Sequence, residues 1–391
     1  MARLNQAGVA MQGAALDTHT GASLDDLPVS SWLSFDPEAG FYQSRPWLEF
    51  VERTAGRAVA YAWVTDQGRT LGVLPVYEPT RPGSGYALAD LGGADSASGP
   101  VAVCGNRRGY RNEILASSLP AASETGRAAL AGLAEAAQAI CDQKGWSNLV
   151  FPYLSHEYAT TLRQALPHAI PLLSKLDANI DIAGRSFDEY VRGLGGKKAD
   201  VVSNEIRRFE RADYATAVER LTDCWGEVGP LVANVQQRYG HDDTAESCRQ
   251  DLRVMSEQFA GHDLVFTARR GGKLIAAAVF FHWNDTLAGR VVGFDYANLA
   301  GAMEYFNLYF YQPISYACEH GVTRILFGLG SERTKQLRGA QLSGLWTLAV
   351  GPAVTAGLVD WRARNAVMLE RLTKSAQVNE ARLSDVWFGD D

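Results

Sequence analysis

Two pairs of segments in this chain share the same order of apolar and polar residues. Val59–Tyr77 and Leu264–Phe281 each contain two apolar runs joined by a short polar turn, which predicts a β-hairpin. Gln138–Ser155 and Ser315–Ser331 each contain a helical period, a glycine and a continuous apolar run, which predicts a helix followed by a buried strand. Because both pairs occur in the same order, we expect a duplicated domain.

The remaining pattern completes the prediction of an α+β (mixed α/β) fold in which each copy has a central mixed sheet flanked by helices. The first residues are rich in Ala, Gly, Asp and Thr without periodicity, which is typical of a loose segment. The predicted divisions are a flexible leader over residues 1–28, an N-terminal domain over 29–184, a C-terminal domain over 185–350 and a helical tail over 351–391.

Composition limits the class of protein. A chain of 391 residues with 47% hydrophobic residues can bury the cores of two domains. The net charge of -7 argues against non-specific coating of nucleic acid, so any contact with RNA must be local. The five cysteines are widely spaced and contain no CxxC pair, which indicates neither a disulfide framework nor a metal site. With no leader peptide and no apolar run of membrane length, we expect a soluble cytoplasmic protein.

Candidate catalytic residues follow two predicted strands. Lys335 and Arg338 come after the strand Arg324–Leu329, at the edge where open sheets place ligands, and could hold a phosphate or polarise a carbonyl. The alternative is a pair of solvated loop cations. Asp295 could deprotonate an amine and Tyr296 could donate to an oxyanion, although Asp295 could also cap the next helix.

Candidate binding residues lie on two predicted helices and a hairpin. Asn307 and Tyr311 share a helix face and could contact a substrate, although aromatic residues at this spacing are usually core. His282 is a further candidate, and most single histidines are structural. Five cations could bind phosphates. Acidic residues lie between them in the sequence, and these favour the alternative of a salt-bridged, solvated helix. These cations are Lys197, Lys198, Arg207, Arg208 and Arg211.

Several kinds of chemistry have no support in the sequence. It contains no Ser/His/Asp or Cys/His arrangement, no spacing typical of metal ligands and no Walker loop. We therefore expect neither a covalent enzyme intermediate, nor metal-assisted hydrolysis, nor cleavage of a nucleoside triphosphate.

Four pieces of the chain resemble the acyltransferases of the GNAT superfamily, in particular the double-domain branch with the Fem peptidoglycan aminoacyltransferases and the FemAB-like proteins. They are Phe187–Tyr190, the basic helix that follows, Phe294-Asp295-Tyr296, and the segment from Gly328 to Gly339. The resemblance spans about residues 30–350 and implies that Lys335 contacts substrate. The turn from Tyr296 to Tyr305 has one glycine, whereas CoA-binding relatives have a glycine-rich turn for the pyrophosphate. This departure is similar to the Fem branch, whose donor is an aminoacyl-tRNA.

The resemblance implies an N-acyltransferase that moves an aminoacyl group from charged tRNA to an amine of a small-molecule or peptide acceptor. Such a reaction forms an amide by direct aminolysis and needs no cofactor. Natural-product (antibiotic) or cell-wall assembly is the expected setting. The alternatives are a GNAT N-acyltransferase that uses an acyl-CoA thioester, and a degenerate pair of GNAT folds that only binds a ligand.

Overall fold

The computed structural model describes residues 16–81, 83–92, 100–182, 184–374 and 387–388. The strands of this part form one twelve-stranded sheet. They are β1 Asp17–Gly21, β2 Ala60–Asp66, β3 Arg69–Thr80, β4 Val101–Cys104, β5 Leu149–Leu154, β6 Ile170–Asp181, β7 Ala215–Glu219, β8 Asp263–Arg270, β9 Lys273–Trp283, β10 Thr286–Phe294, β11 Arg324–Leu329 and β12 Gln341–Val350.

Helices cover both faces of the sheet. They are α1 Val29–Phe35, α2 Arg45–Ala55, α3 Glu124–Gln143, α4 His156–Ala165, α5 Phe187–Gly193, α6 Gly196–Glu210, α7 Leu221–Arg238, α8 Ala245–Gln258, α9 Glu304–Phe306, α10 Gln312–Glu319, α11 Glu332–Leu337, α12 Pro352–Gly357 and α13 Trp361–Thr373. Short 3-10 helices span Leu24–Asp26 and Phe41–Gln43, and a π-helical segment, Asn307–Tyr311, joins α9 to α10. No helix of the described residues is long and apolar enough to cross a membrane.

Local sequence explains where these elements begin and turn. The Ser186 side chain accepts from the backbone N–H of Glu189, whose carboxylate accepts from the N–H of Ser186, so a capping box starts α5. The two predicted hairpins turn at Gln67-Gly68 and at Gly271-Gly272, and all four residues have positive φ. Such φ values give the turn the twist that pairs adjacent strands.

The sheet order shows the duplication. It runs β1-β2-β3-β4-β5-β12-β6-β11-β10-β9-β8-β7, so the first five strands of one half mirror β7 to β11 of the other. The mixed α/β fold class and the duplication predicted from the sequence are confirmed. The sixth strands are exchanged: β6 pairs with β11 of the second half, and β12 pairs with β5 of the first.

Aromatic packing joins the two halves on one face of the sheet. The ring of Phe41 lies 4.9 Å from Phe259 and 5.2 Å from Phe281, measured between centroids, and 5.2 Å from Trp47. All four side chains are buried. Because aromatic rings bury large apolar areas, this cluster and the exchanged strands fix the halves against each other.

The two ends of the chain differ in part from the prediction. Residues 17–28, predicted as part of a flexible leader, contain β1, which pairs with β2 at the edge of the sheet. Its side chains are mostly exposed and polar, so β1 lacks the alternation of apolar and polar residues that predicts a strand. Residues 1–15 of that leader lie outside the described residues. Within the predicted helical tail, α12 and α13 account for its first part, and residues 375–386 and 389–391 also lie outside.

Candidate functional site

Lys335 lies in α11, directly after β11, and is 2% exposed. Its ammonium group donates to the carbonyl oxygens of Phe327, Gly328 and Leu329 at 2.7, 2.9 and 2.8 Å. The three hydrogens are therefore used by the end of β11. Burial lowers the pKa of Lys335 to about 8, against the opposing effect of the nearby carboxylates of Asp177 and Glu332.

Asp177, on the neighbouring strand β6, is 1% exposed and pairs in register with Leu329. Burial raises its pKa, and the charge of Arg111, whose Nη1 lies 3.4 Å from Oδ2, opposes this. Asp177 was not among the residues predicted from the sequence. The signal was a carboxylate in the interior of the mostly apolar strand β6, where a charge is retained only when it has a partner.

Arg338 is 6% exposed and joins three elements. Its Nη2 donates to both carboxylate oxygens of Glu205 in α6, at 2.8 and 3.0 Å, and its guanidinium lies 3.5 Å from the ring centroid of Phe306. The hydroxyl of Tyr311 donates to the same carboxylate, and that of Tyr190 donates to the carbonyl of Arg338. Arg338 is therefore not a solvated loop cation, which was the alternative stated for Lys335 and Arg338.

The π-helical segment places Asn307 and Tyr311 on the wall of a pocket of about 430 Å³. Asn307 donates to the carbonyl oxygens of Glu205, at 3.3 Å, and Met303, at 2.9 Å. Because π-helical turns are rare and frequently occur at functional sites, this segment supports a role for the pocket. Its lining residues are Phe187, Ile206, Phe209, Glu210, Tyr214, Thr216, Asn307, Tyr311, Gln312 and Ser315.

Asp295 and Tyr296 follow β10 as predicted but have other partners. Asp295 accepts from Lys273 at 2.7 Å and from the side chain of Asn298 at 2.9 Å, and the bond from Lys273 is the main cause of its lowered pKa. A carboxylate with a lowered pKa is a poorer base near neutral pH. The partly exposed ring of Tyr296 stacks with Arg238 at 4.6 Å. Among the described residues, neither side chain has a hydrogen bond or ion pair with Lys335 or Arg338.

His282 lies at the end of β9, opposite Leu287 near the start of β10. Its Nδ1 is 3.3 Å from the hydroxyl of Tyr316, and burial is the main cause of its lowered pKa. β10 and β11 run parallel, with Leu287 beside Ile325 near the start of β11, whereas Lys335 bonds the carbonyls at the far end of that strand. The structure does not bring His282 together with Lys335.

The five basic residues divide between the ends of α6. Lys197 and Lys198 lie in its first turn, about 14–21 Å along the axis from the three arginines. Arg207, Arg208 and Arg211 line a shallow pocket of about 260 Å³ with Asn204. All five side chains are exposed, and none has an ion pair within the described part of the chain. Arg207 donates to Asn204 Oδ1 at 2.7 Å and to the carbonyl of Ser203 at 3.2 Å. The helix surface is thus solvated, as the alternative had it, but not salt-bridged. An ideal Cβ on Gly301 would lie 3.9 Å from Nη2 of Arg208, so Arg208 adjoins the loop before α9.

Several known proteins are similar to this chain in sequence or in structure. A family model named FemAB-like, described as peptidoglycan biosynthesis/recognition, matches residues 115–351. Curated protein sequences give no match. The crystal structure of FemX is similar, with a TM-score of 0.59 and 12% identity over 85% of this chain and 97% of FemX.

Two further structures are similar. A conserved protein of unknown function from Bacteroides thetaiotaomicron VPI-5482 has a TM-score of 0.52 and 13% identity, covering 85% of this chain and 98% of that one. A tandem GNAT protein from the clavulanic acid biosynthesis pathway has a TM-score of 0.45 and 14% identity, covering 86% and 99%. At these identities a structural likeness concerns the fold alone.

Proposed function

This chain belongs to the FemAB-like family, and on that premise we propose that it transfers an aminoacyl group from aminoacyl-tRNA to an amine of a small-molecule or peptide acceptor. The coarser class, a transferase of the acyl- or aminoacyltransferase type, follows from the family and the tandem GNAT-like fold. The donor, the acceptor and the roles of single residues belong to the proposal.

The observation that carries the choice of donor is the basic surface of α6 beside the loop before α9. We define the arginine stripe as Arg207, Arg208 and Arg211. These side chains are exposed and have no carboxylate partner among the described residues. Guanidinium groups on one surface are suited to successive phosphates of a nucleic acid, and here they lie on an otherwise acidic protein.

A carboxylate at the start of α9 argues against CoA as the donor. Glu304 lies in the first helical turn, is 4% exposed and accepts from the hydroxyl of Tyr214 at 2.7 Å. In CoA-binding sites of this fold class, the start of the helix binds a pyrophosphate through free backbone N–H groups. A buried negative charge at that place repels a pyrophosphate, and the preceding turn has only one glycine.

The chemistry requires little beyond alignment. The nitrogen of the acceptor attacks the ester carbonyl, a C–N bond forms, the bond to the ribose oxygen breaks, and the proton lost by the amine passes to that oxygen. Arg338 is the cation best suited to the charge that develops on the carbonyl oxygen, since Glu205 and Phe306 fix its guanidinium. Lys335 acts as a positioning residue because the strand end uses all three of its hydrogens.

A transfer assay tests the donor directly. Total tRNA charged with labelled amino acids is incubated with the protein and a panel of amines, and labelled amide is measured. We expect product that disappears when the charged tRNA is treated with ribonuclease beforehand, and none with uncharged tRNA plus free amino acids. Product from acyl-CoA thioesters, with none from charged tRNA, would replace our proposal with the acyl-CoA alternative.

The arginine stripe gives a second, binding-based test. In the triple variant Arg207→Gln/Arg208→Gln/Arg211→Gln, tRNA binding should weaken. The slope of log K against log[salt] should fall by about 0.7–0.9 for each phosphate that the variant no longer neutralises. Arg253→Gln is the matched control, since Arg253 is an exposed arginine on α8. An unchanged slope in the triple variant, measured by filter binding, would remove the stripe from the tRNA site.

A further inference from the structure

We infer that the pocket beside the π-helical segment binds the adenine base at the 3′ end of the donor tRNA. We call it the aromatic pocket and define it by the ten lining residues given above. The inference rests on the proposed function and adds to it a subsite that is specific for one base. The volume of the aromatic pocket, about 430 Å³, lies within the roughly 300–1,000 Å³ typical of small-molecule sites.

The lining of the aromatic pocket is suited to a planar ring. It contains the rings of Phe187, Phe209, Tyr214 and Tyr311. A single nucleobase stacks on aromatic side chains of this kind, and such stacking contributes to binding whichever base is present. The aromatic lining therefore accounts for the binding of a base but not for a preference among bases. Such a preference must come from the polar groups of the pocket.

Two polar side chains of the pocket are complementary to adenine. The carboxylate of Glu210 and the amide of Gln312 have no hydrogen-bond partner among the described residues. Adenine offers an amino group at N6 and an acceptor at N7, which a glutamine amide can bind together, while a carboxylate accepts only from a donor such as N6. A base with a carbonyl oxygen at position 6 would place that oxygen against the carboxylate, so we expect guanine and hypoxanthine to be rejected.

Helix α6 separates the base from the phosphates. Its Ile206, Phe209 and Glu210 line the aromatic pocket, whereas the arginine stripe lines the shallow pocket on another face of the same helix. A negative charge in the first pocket disfavours a phosphate there, and the cations of the second attract one. A single-stranded end lying across α6 would thus place its phosphates and its last base on different faces of one helix.

The aromatic pocket is also close to the proposed reaction centre. Tyr311 forms part of its wall and donates its hydroxyl to Glu205, the carboxylate that binds Arg338. A base stacked near Tyr311 would therefore leave its ribose close to Arg338, with Tyr311 and Glu205 between them. The aminoacyl ester is attached to the ribose of the terminal nucleotide, so this position is suited to the last nucleotide of the tRNA.

The test uses uncharged RNA minihelices, so that the amino acid need not be known. Three probes end in CCA, in CC followed by inosine, and in CC followed by an abasic nucleotide, and fluorescence anisotropy measures their dissociation constants. We expect inosine to bind at least about fivefold more weakly than adenosine, and the abasic probe to bind more weakly still. Glu210→Gln should reduce the preference for adenosine over inosine. Asp200→Asn, an exposed carboxylate on the same helix but outside the pocket, should preserve it.

The outcomes separate this inference from the proposed function. If all three probes bind equally and the triple arginine variant still weakens them, tRNA is bound but the aromatic pocket does not read the base, and the inference is wrong. If Glu210→Gln changes which amino acid is transferred and not the adenosine preference, the pocket binds the amino-acid side chain, which also overturns it. If no minihelix binds and charged tRNA gives no product, both proposals fail.

Discussion

At the scale of single residues, buried charges stabilise the end of β11. Lys335, Asp177 and Arg111 form one group, and Arg338 with Glu205 forms the other. A buried charge is tolerated only when partners replace its water, so removing one member leaves the others uncompensated. Since Lys335 donates to three backbone carbonyls, we expect Lys335→Ala to lose stability as well as transfer activity.

The pKa of Lys335 predicts a dependence of stability on pH. Its folded-state value of about 8 lies below its usual 10.5, so between these values the unfolded chain binds a proton that the folded chain has released. Stability from this group therefore rises with pH across that window, by about 2 kcal/mol from pH 8 to pH 10. Urea unfolding of the wild type and Lys335→Met at both pH values measures the difference, in which other titrations cancel. A constant difference would contradict the lowered pKa.

The pair formed by Glu205 and Arg338 predicts strong energetic coupling. Glu205→Gln leaves a buried guanidinium without its carboxylate and should reduce the free energy of unfolding by about 3 kcal/mol. Combined with Arg338→Met, the loss should be smaller than the sum of the single losses by at least about 1 kcal/mol. The exposed pair of Glu370 and Lys374, treated in the same way, should show little coupling. Additive losses at Glu205 and Arg338 would mean that the pair does not interact in solution.

At the scale of elements, the helical spacing of apolar residues indicates which face of α6 is buried. It does not indicate where a helix departs from α-helical geometry. The spacing of Val202, Ile206 and Phe209 in α6 is that of one helix face. In the structure Val202 and Phe209 are buried and Ile206 is half-buried. The π-helical segment inside the long aromatic helix had no signal, because one extra residue per turn leaves composition and propensity unchanged. The segment decides that Asn307 and Tyr311 share the wall of the aromatic pocket.

The turn between α11 and β12 carries a testable glycine requirement. Gly339 has φ of +88°, and a Cβ there would lie 2.6 Å from Cδ2 of Leu194 and 2.8 Å from the hydroxyl of Tyr190. Gly330, at the other end of α11, has φ of +73° but no atom within 4 Å of its Cβ position. Gly330→Ala should therefore cost only the backbone strain, about 1 kcal/mol, and Gly339→Ala about 2 kcal/mol more through the clash. Thermal unfolding of both variants measures this, and equal losses would argue against the close packing of α5 on the turn.

At the scale of the whole molecule, the exchange of β6 and β12 makes the two copies interdependent. β6 lies between β11 and β12, and β12 lies between β5 and β6. Each half alone would therefore leave its long inner strand, β6 or β12, without either neighbour. Unpaired strand edges promote aggregation.

The exchange predicts that the halves do not fold separately. Residues 1–184 and residues 185–391, expressed alone, should be insoluble or lack a cooperative unfolding transition. Expressed together, they should form a soluble one-to-one complex that restores the far-ultraviolet circular dichroism of the intact chain. Gel filtration and circular dichroism measure both properties. A folded, monomeric single half would show that the exchanged strands are dispensable.

The sequence by itself determined what is local: both hairpins, the helix and strand that follow each, the capping box at Ser186 and the duplication. These depend on residues within one or two turns of each other, so periodicity and turn chemistry suffice to predict them. The tertiary structure alone decided the exchange of strands, the pairing of Glu205 with Arg338 and of Asp177 with Arg111, and the separation of His282 from Lys335. Glu205 and Arg338 are 133 residues apart along the chain, and β12 pairs with β5 across a still larger separation. Such contacts depend on packing and on the cost of burying charge, and neither leaves a periodic trace in one sequence.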